Sequence, residues 1–117
     1  MLNTGVVSIY DFDLNAAIAS FRFLKFEAYD HDWLHFIVNN WSGGDDWRLW
    51  DIVEGGIANY RVIDTVENYM VGLIDEDSAL GLLALHQPNH QLCILNQQVI
   101  ERYLHFIESY QVKAYVE

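Results

Sequence analysis

The sequence has few basic side chains, one proline, one cysteine and no long apolar run. Lysine and arginine number six against 17 aspartates and glutamates, which gives a formal charge of −11, and no basic residue lies between Arg61 and Arg102. A surface of this sign repels phosphate groups, so we expect no binding to nucleic acid or to anionic membranes. No apolar run reaches the roughly 20 residues of a membrane span, and the first residues do not resemble a secretion signal.

The single cysteine, Cys93, cannot form an internal disulfide, which suits a reducing cytoplasm. Its neighbours Leu92 and Ile94 are apolar. We therefore expect Cys93 to be a small core residue rather than a nucleophile.

What the sequence does contain is apolar surface, because hydrophobic residues make up 52% of its 117 positions and aromatic residues 15%. This composition excludes disorder and predicts one domain over residues 1–117. The periodicity predicts an α+β fold in which short strands interleave with four amphipathic helices. Strands are predicted at 6–12, 21–26, 49–53 and 91–95, a helical turn at 14–20, and helices at about 31–40, 60–71, 76–84 and 97–107.

Two pairs of histidines have a spacing that can bind a metal on a helix. His86 and His90 are separated by Pro88, which breaks a helix. His31 and His35 can share a helix face, but no third ligand is evident beyond nearby acids, so a solvated face is favoured. We expect no metal site.

The remaining polar motifs have simple structural explanations. Gly55-Gly56 precedes a predicted helix, but no G-x-G-x-x-G or G-K-[ST] run accompanies it, which favours a tight turn. The acids at 75–77 suit the positive end of a helix dipole. No serine or cysteine nucleophile has a credible neighbouring base.

One stretch resembles a known signature. Residues 50–62, W-D-I-V-E-G-G-I-A-N-Y-R-V, resemble the Y-D-I-V-x-G-P-V-A-[DN]-D-R-V run of an uncharacterised bacterial family, domain of unknown function three-nine-nine-zero. Thr65, Tyr69 and Gly72 match its T-x-x-x-Y-x-x-G-L-I pattern, and residues 88–94, P-N-H-Q-L-C-I, are similar to its P-N-N-Q-I-C-F. Upstream, I-Y-D-F-D and W-L-H-F-I-V-N-N are similar to its V-Y-E-F-D and W-L-D-F-V-L-N-N. These matches are collinear over most of the chain.

The resemblance implies an ADP-ribosyltransferase-like fold and a toxin-like or effector-like protein that uses NAD. By this resemblance Gln91 takes the place of the last catalytic residue, usually a glutamate, and Asn89 and His90 shape the cofactor-binding loop before it. A neutral Gln91 keeps a hydrogen-bonding amide but loses the charge that stabilises a positive anomeric carbon.

The family's Y-H-G-S and G-x-G-F-Y-x-T runs, which supply other NAD contacts, are missing here. The resemblance therefore implies a half-domain that corresponds to the C-terminal two thirds of the family. We expect an open sheet edge or apolar face, covered in a homo-oligomer or by a separately encoded partner.

Two functions stay open. The first is a degenerate or split ADP-ribosyltransferase-like domain that is inactive alone and has no cofactor, or has NAD once a partner completes the site. The second is a non-enzymatic acidic interaction protein, of antitoxin or immunity type, that binds a basic partner.

Overall fold

The computed structural model describes residues 2–115, with side chains from 4 to 113, and has the predicted α+β class. Its elements are β1 (Leu2–Phe12), α1 (Leu14–Ser20), β2 (Phe23–Lys25), α2 (His31–Trp41), a 3₁₀ helix (Asp46–Leu49), β3 (Ile52–Gly56), α3 (Tyr60–Met70), α4 (Glu76–Leu83), β4 (His90–Ile94), α5 (Gln97–Tyr103) and β5 (Leu104–Tyr115). Within this described range none of the helices is long and apolar enough to span a bilayer.

The described chain forms two compact units, one made of residues 2–20 and 96–115 and the other of residues 21–95. In the first unit β1 and β5 pair antiparallel into a long two-stranded ribbon, with an irregularity between Ile9 and Tyr10. Ala17 of α1 and Val99 of α5 are fully buried. The ribbon exposes seven large apolar side chains, namely Val6, Val7, Tyr10, Phe106, Ile107, Tyr110 and Val112.

The last predicted helix is wrong beyond Tyr103, because residues 104–115 form β5. Apolar residues at 99, 103 and 107 have helical spacing by coincidence. From Ser109 onward polar residues alternate with Tyr110 and Val112, and this period of two fits a strand. Pairing with β1 supplies the backbone partners that favour the strand.

The second unit contains a three-stranded sheet in the order β2-β3-β4, with β2 parallel and β4 antiparallel to β3. Helices α2, α3 and α4 supply most of its core, whose buried members are Phe26, Tyr29, Trp33, Leu34, Val62, Val66, Ala79 and Leu83.

Side-chain caps determine where α2 and α4 begin. The carboxylate of Asp30 accepts from the Trp33 backbone N–H at 3.0 Å, and that of Asp75 from the Ser78 N–H at 2.7 Å. The backbone hydrogen bond from Ser78 also holds the pKa of Asp75 below its usual value. Gly72 follows α3 with φ at 80°, a left-handed conformation that glycine adopts without a steric penalty.

The third predicted strand begins later than expected, at Ile52 rather than Leu49. Residues 46–49 instead form a 3₁₀ turn, in which the Trp50 N–H donates to the Trp47 carbonyl. Asp51 then fixes the start of the strand, because its carboxylate accepts from the Arg22 backbone N–H at 2.8 Å.

The prediction that Cys93 is a core residue is also wrong, because its side chain is exposed. Cys93 lies on β4, which is an edge strand in the described sheet. Its side chain projects from one face of the sheet, so only a layer packed over that face would bury it.

Candidate functional site

A cleft of about 280 Å³ lies over one face of the three-stranded sheet of the second unit. Its floor is formed by alternate residues of β3 and β4, and its wall by one face of α2. The lining residues are Phe26, Trp33, Phe36, Ile37, Asn40, Trp47, Val53, Gly55, Gly56, Gln91, Cys93 and Leu95.

The register of the sheet explains how Gln91 reaches the cleft. Gln91 pairs with Gly55, and Cys93 pairs with Val53. Side chains alternate along a strand, so Gln91 and Cys93 share one face of β4. Gly55 has no side chain to fill the cleft, and a Cβ atom there would make ordinary contacts with Phe26, at 3.5 Å, and Trp33, at 3.7 Å.

The polar side chains that line the cleft are all uncharged. Gln91 and Asn40 each contribute a neutral amide, and the lining contains no aspartate, glutamate, lysine, arginine or histidine. Asn40 Oδ1 is buried and has no hydrogen-bond partner among the described residues. An unsatisfied buried acceptor costs about 1–3 kcal/mol, but this oxygen has almost no accessible surface and is closed to a ligand in the cleft. The cleft therefore suits a flat apolar ligand that carries an amide, and it offers no charged acid–base group.

The other two predicted site residues lie elsewhere. The Asn89 carbonyl oxygen accepts from the Ile57 backbone N–H at 3.0 Å. His90 belongs to the opposite face of β4, where its Nδ1 lies 3.6 Å from Glu54 Oε2. The structure thus places Gln91 in the cleft and brings neither Asn89 nor His90 to it.

On that opposite face Glu54 is the centre of a small charge cluster that the sequence analysis missed. Its Oε2 lies 3.2 Å from Lys25 Nζ, and its side chain is only 15% exposed. The hydrogen bond to Glu54 is the main reason that the pKa of Lys25 is raised. Three separate strands supply the cluster, so no local motif indicates it.

Both glycines of the Gly55-Gly56 pair lie within β3, so the predicted tight turn is wrong. A Cβ atom on Gly56 would lie 2.5 Å from Tyr29 Cε1 and 2.7 Å from Pro88 Cβ. The Tyr29 hydroxyl donates to the Ile57 carbonyl oxygen at 2.6 Å, and burial raises the pKa of this phenol. Close packing of Tyr29 and Pro88 therefore explains why a glycine stands at position 56.

His31 and His35 share a face of α2, as their spacing predicted, and their rings stack with centroids 4.0 Å apart. Glu76, the first residue of α4, contacts His35 and lies close to His31. Glu76 is not among the acids that lie near this pair in the sequence, because it follows His35 by 41 residues.

Comparison with known proteins places the chain in a family. A family model described as Protein of unknown function (DUF3990) matches residues 2–106. No curated protein and no solved structure matches the chain. The narrower expectations, an ADP-ribosyltransferase-like fold and a match to the C-terminal two thirds of the family, stay predictions. Because the match covers nearly the whole chain, the protein belongs to the DUF3990 family of proteins of unknown function.

Proposed function

We propose that this chain is a degenerate or split ADP-ribosyltransferase-like domain that holds the nicotinamide end of NAD in the cleft and is inactive alone. The observation that carries the proposal is the Gln91 amide in an aromatic cleft without an acidic side chain.

The chemistry of the cleft supports a nicotinamide ring. Nicotinamide is flat, carries a carboxamide, and is cationic in oxidised NAD. Phe36 and Trp47 supply aromatic surface, which attracts both flat rings and cations. The carboxamide can pair with the amide of Gln91.

The size of the cleft limits which part of NAD it takes. A volume of about 280 Å³ lies at the small end of ligand pockets, which span about 300–1,000 Å³. A single ring with its amide fits this volume, and the adenosine portion must lie outside it.

The same residues explain why the domain would be catalytically inactive. Breaking the bond between nicotinamide and ribose builds positive charge on the anomeric carbon, which a carboxylate stabilises. Gln91 is neutral, and none of the cleft residues is acidic. A bound dinucleotide would therefore be held without cleavage unless a partner supplied the carboxylate.

Calorimetry with NAD tests this proposal. We expect heat of binding and a higher melting temperature for the full chain, with no release of nicotinamide. Gln91→Ala should weaken binding up to about tenfold, because a hydrogen bond contributes about 0.5–1.5 kcal/mol. Gln98→Ala, which removes an exposed glutamine from α5, is the matched control and should bind like the parent. Absence of binding heat and of any change in melting temperature at millimolar NAD would contradict NAD binding by this chain.

We also propose that two copies of the chain associate through the β1–β5 ribbon. Seven of its apolar side chains are exposed, and because side chains alternate along a strand they are distributed over both faces of the ribbon. The charged side chains of its described residues are Asp11, Glu108 and Lys113, so the ribbon carries little of the chain's net charge of −11. Repulsion between two acidic copies is therefore weakest there.

Light scattering after size exclusion measures this association. We expect a dimer for the parent and a monomer for Phe106→Lys, which places a charge on the ribbon. Leu85→Lys makes the same kind of change at an exposed apolar residue outside the ribbon and should leave the dimer intact. A monomeric parent at high concentration would contradict self-association.

The alternative, an acidic interaction protein that binds a basic partner, has one local observation in its favour. Glu27, Asp30, Asp32 and Asp46 line a shallow groove beside α2. If NAD does not bind, this groove becomes the preferred functional surface.

A further inference from the structure

Two histidines and a glutamate converge outside the aromatic cleft. His31 and His35 are one helical turn apart on α2, and their rings lie nearly parallel, at 25°. His31 Nε2 lies 3.4 Å from Glu76 Oε1, and His35 Nε2 contacts the same oxygen. One ligand atom from each of the three residues lies within 4.8 Å of the others.

We propose that His31, His35 and Glu76 bind a divalent transition metal ion of the zinc class. Two imidazole nitrogens and one carboxylate oxygen form a ligand set that suits such ions, with a fourth position left for water. Bonds of about 2.1 Å in a tetrahedral site place ligand atoms about 3.4 Å apart, which matches the distance from His31 Nε2 to Glu76 Oε1. A cation bound there would replace the direct contact between His35 and Glu76, and these two side chains would move apart to a similar spacing.

Neighbouring side chains support the orientation of the ligands. His31 Nδ1 lies 3.4 Å from Asp32 Oδ1, so a carboxylate faces the ring nitrogen that points away from the metal position. Such an outer carboxylate orients a metal-bound imidazole and raises its basicity. The carboxylate of Asp75 caps α4 through the Ser78 N–H, which leaves Glu76 as the acid of this turn that meets the histidines.

Hydrogen bonding alone accounts less well for this arrangement. One carboxylate oxygen faces the Nε2 atoms of two stacked rings. All three side chains are at least one third exposed, so water can supply the same hydrogen bonds to the histidines. A hydrogen bond from the second histidine to Glu76 would therefore add little stability, whether both rings are neutral or both are charged. A dication satisfies all three ligand atoms at once and remains accessible from solvent.

The metal would link α2 to the start of α4, which lie in the same compact unit. The opposite face of α2 carries Trp33 and Phe36, which line the cleft. Binding would therefore stabilise the helix that forms the cleft wall. This inference does not depend on NAD binding.

Calorimetry and thermal unfolding of the full chain, prepared without metal and titrated with Zn²⁺ alone, test the site. We expect one equivalent of Zn²⁺ to bind and to raise the melting temperature, with Mg²⁺ having no effect. Glu76→Gln and His35→Gln each remove a metal ligand and should weaken Zn²⁺ binding by more than about 100-fold. Asp32→Asn removes only the carboxylate that orients His31 and should weaken binding by about tenfold.

Two control variants separate a specific site from the acidic surface. Asp77→Asn removes the same charge from the first turn of α4, and His105→Gln removes an exposed histidine from β5. Both should bind Zn²⁺ like the parent. Equal binding by Glu76→Gln and Asp77→Asn, or no saturable binding by the parent, would overturn the proposal. Visible absorption of bound Co²⁺ reports the imidazole and carboxylate ligands independently of stability.

Discussion

Replacing Trp33 with alanine should lower the free energy of unfolding by about 3–5 kcal/mol, the usual cost of truncating a buried tryptophan. Trp33 is 1% exposed and is the largest side chain of the core. Its indole packs edge-on against Tyr29, with ring centroids 4.7 Å apart. A domain of this size is stabilised by only about 5–15 kcal/mol, so the variant should be close to unfolding at moderate temperature.

Trp41→Ala on the same helix is the matched control for Trp33→Ala. Trp41 is the last residue of α2 and is 42% exposed. Its removal should cost far less, because most of its surface is already in contact with water. Urea unfolding followed by circular dichroism compares the two variants, and equal losses would contradict the position assigned to Trp33.

Replacing Gly56 with alanine should destabilise the chain by about 1–3 kcal/mol, the usual cost of inserting atoms into a packed core. The new methyl group would lie 2.5 Å from Tyr29 Cε1 and 2.7 Å from Pro88 Cβ. Neither neighbour moves easily, because the Tyr29 hydroxyl is bonded to the Ile57 carbonyl and the proline ring is rigid.

Gly81→Ala gives the opposite expectation and so controls for the Gly56 variant. Gly81 lies within α4, and a Cβ atom there would meet no other atom within 4 Å. Alanine favours a helix over glycine by up to about 1 kcal/mol, so this variant should be more stable than the parent. If both alanine variants changed the unfolding midpoint in the same direction, the packing around Gly56 would be misassigned.

The sequence predicts the three middle helices well because each begins with a side-chain cap. Asp30, Asn59 and Asp75 all accept hydrogen bonds from the first turn of the helix that follows. These contacts span two or three residues, so they depend on local sequence alone. For the same reason Gly72 indicates the end of α3.

Long-range pairing explains what the sequence could not predict. The strand at 104–115 is stabilised by β1, which lies about a hundred residues earlier. Helical spacing competed with a strand pattern there, and the distant partner decided the outcome. The exposure of Cys93 likewise depends on distant structure, because its side chain lies on the face of β4 that lines the open cleft.

The candidate site was predictable in one residue. The family resemblance indicated Gln91, which does line the cleft. The aromatic wall opposite Gln91 comes from α2. The apolar face of this helix predicts that it is buried, but it does not predict which strand it packs against. The resemblance also implied that Asn89 and His90 shape the loop before Gln91, but strand alternation directs His90 to the other face, beside Glu54.

The most direct test of the account is nuclear magnetic resonance of the ¹⁵N-labelled chain titrated with nicotinamide. The account predicts that the side-chain amide of Gln91 and the indole N–H signals of Trp33 and Trp47 shift together with one dissociation constant. The indole N–H signal of Trp41, which does not line the cleft, should not shift. A saturating titration that leaves the Gln91 amide unmoved would contradict the assignment of this cleft as a nicotinamide site.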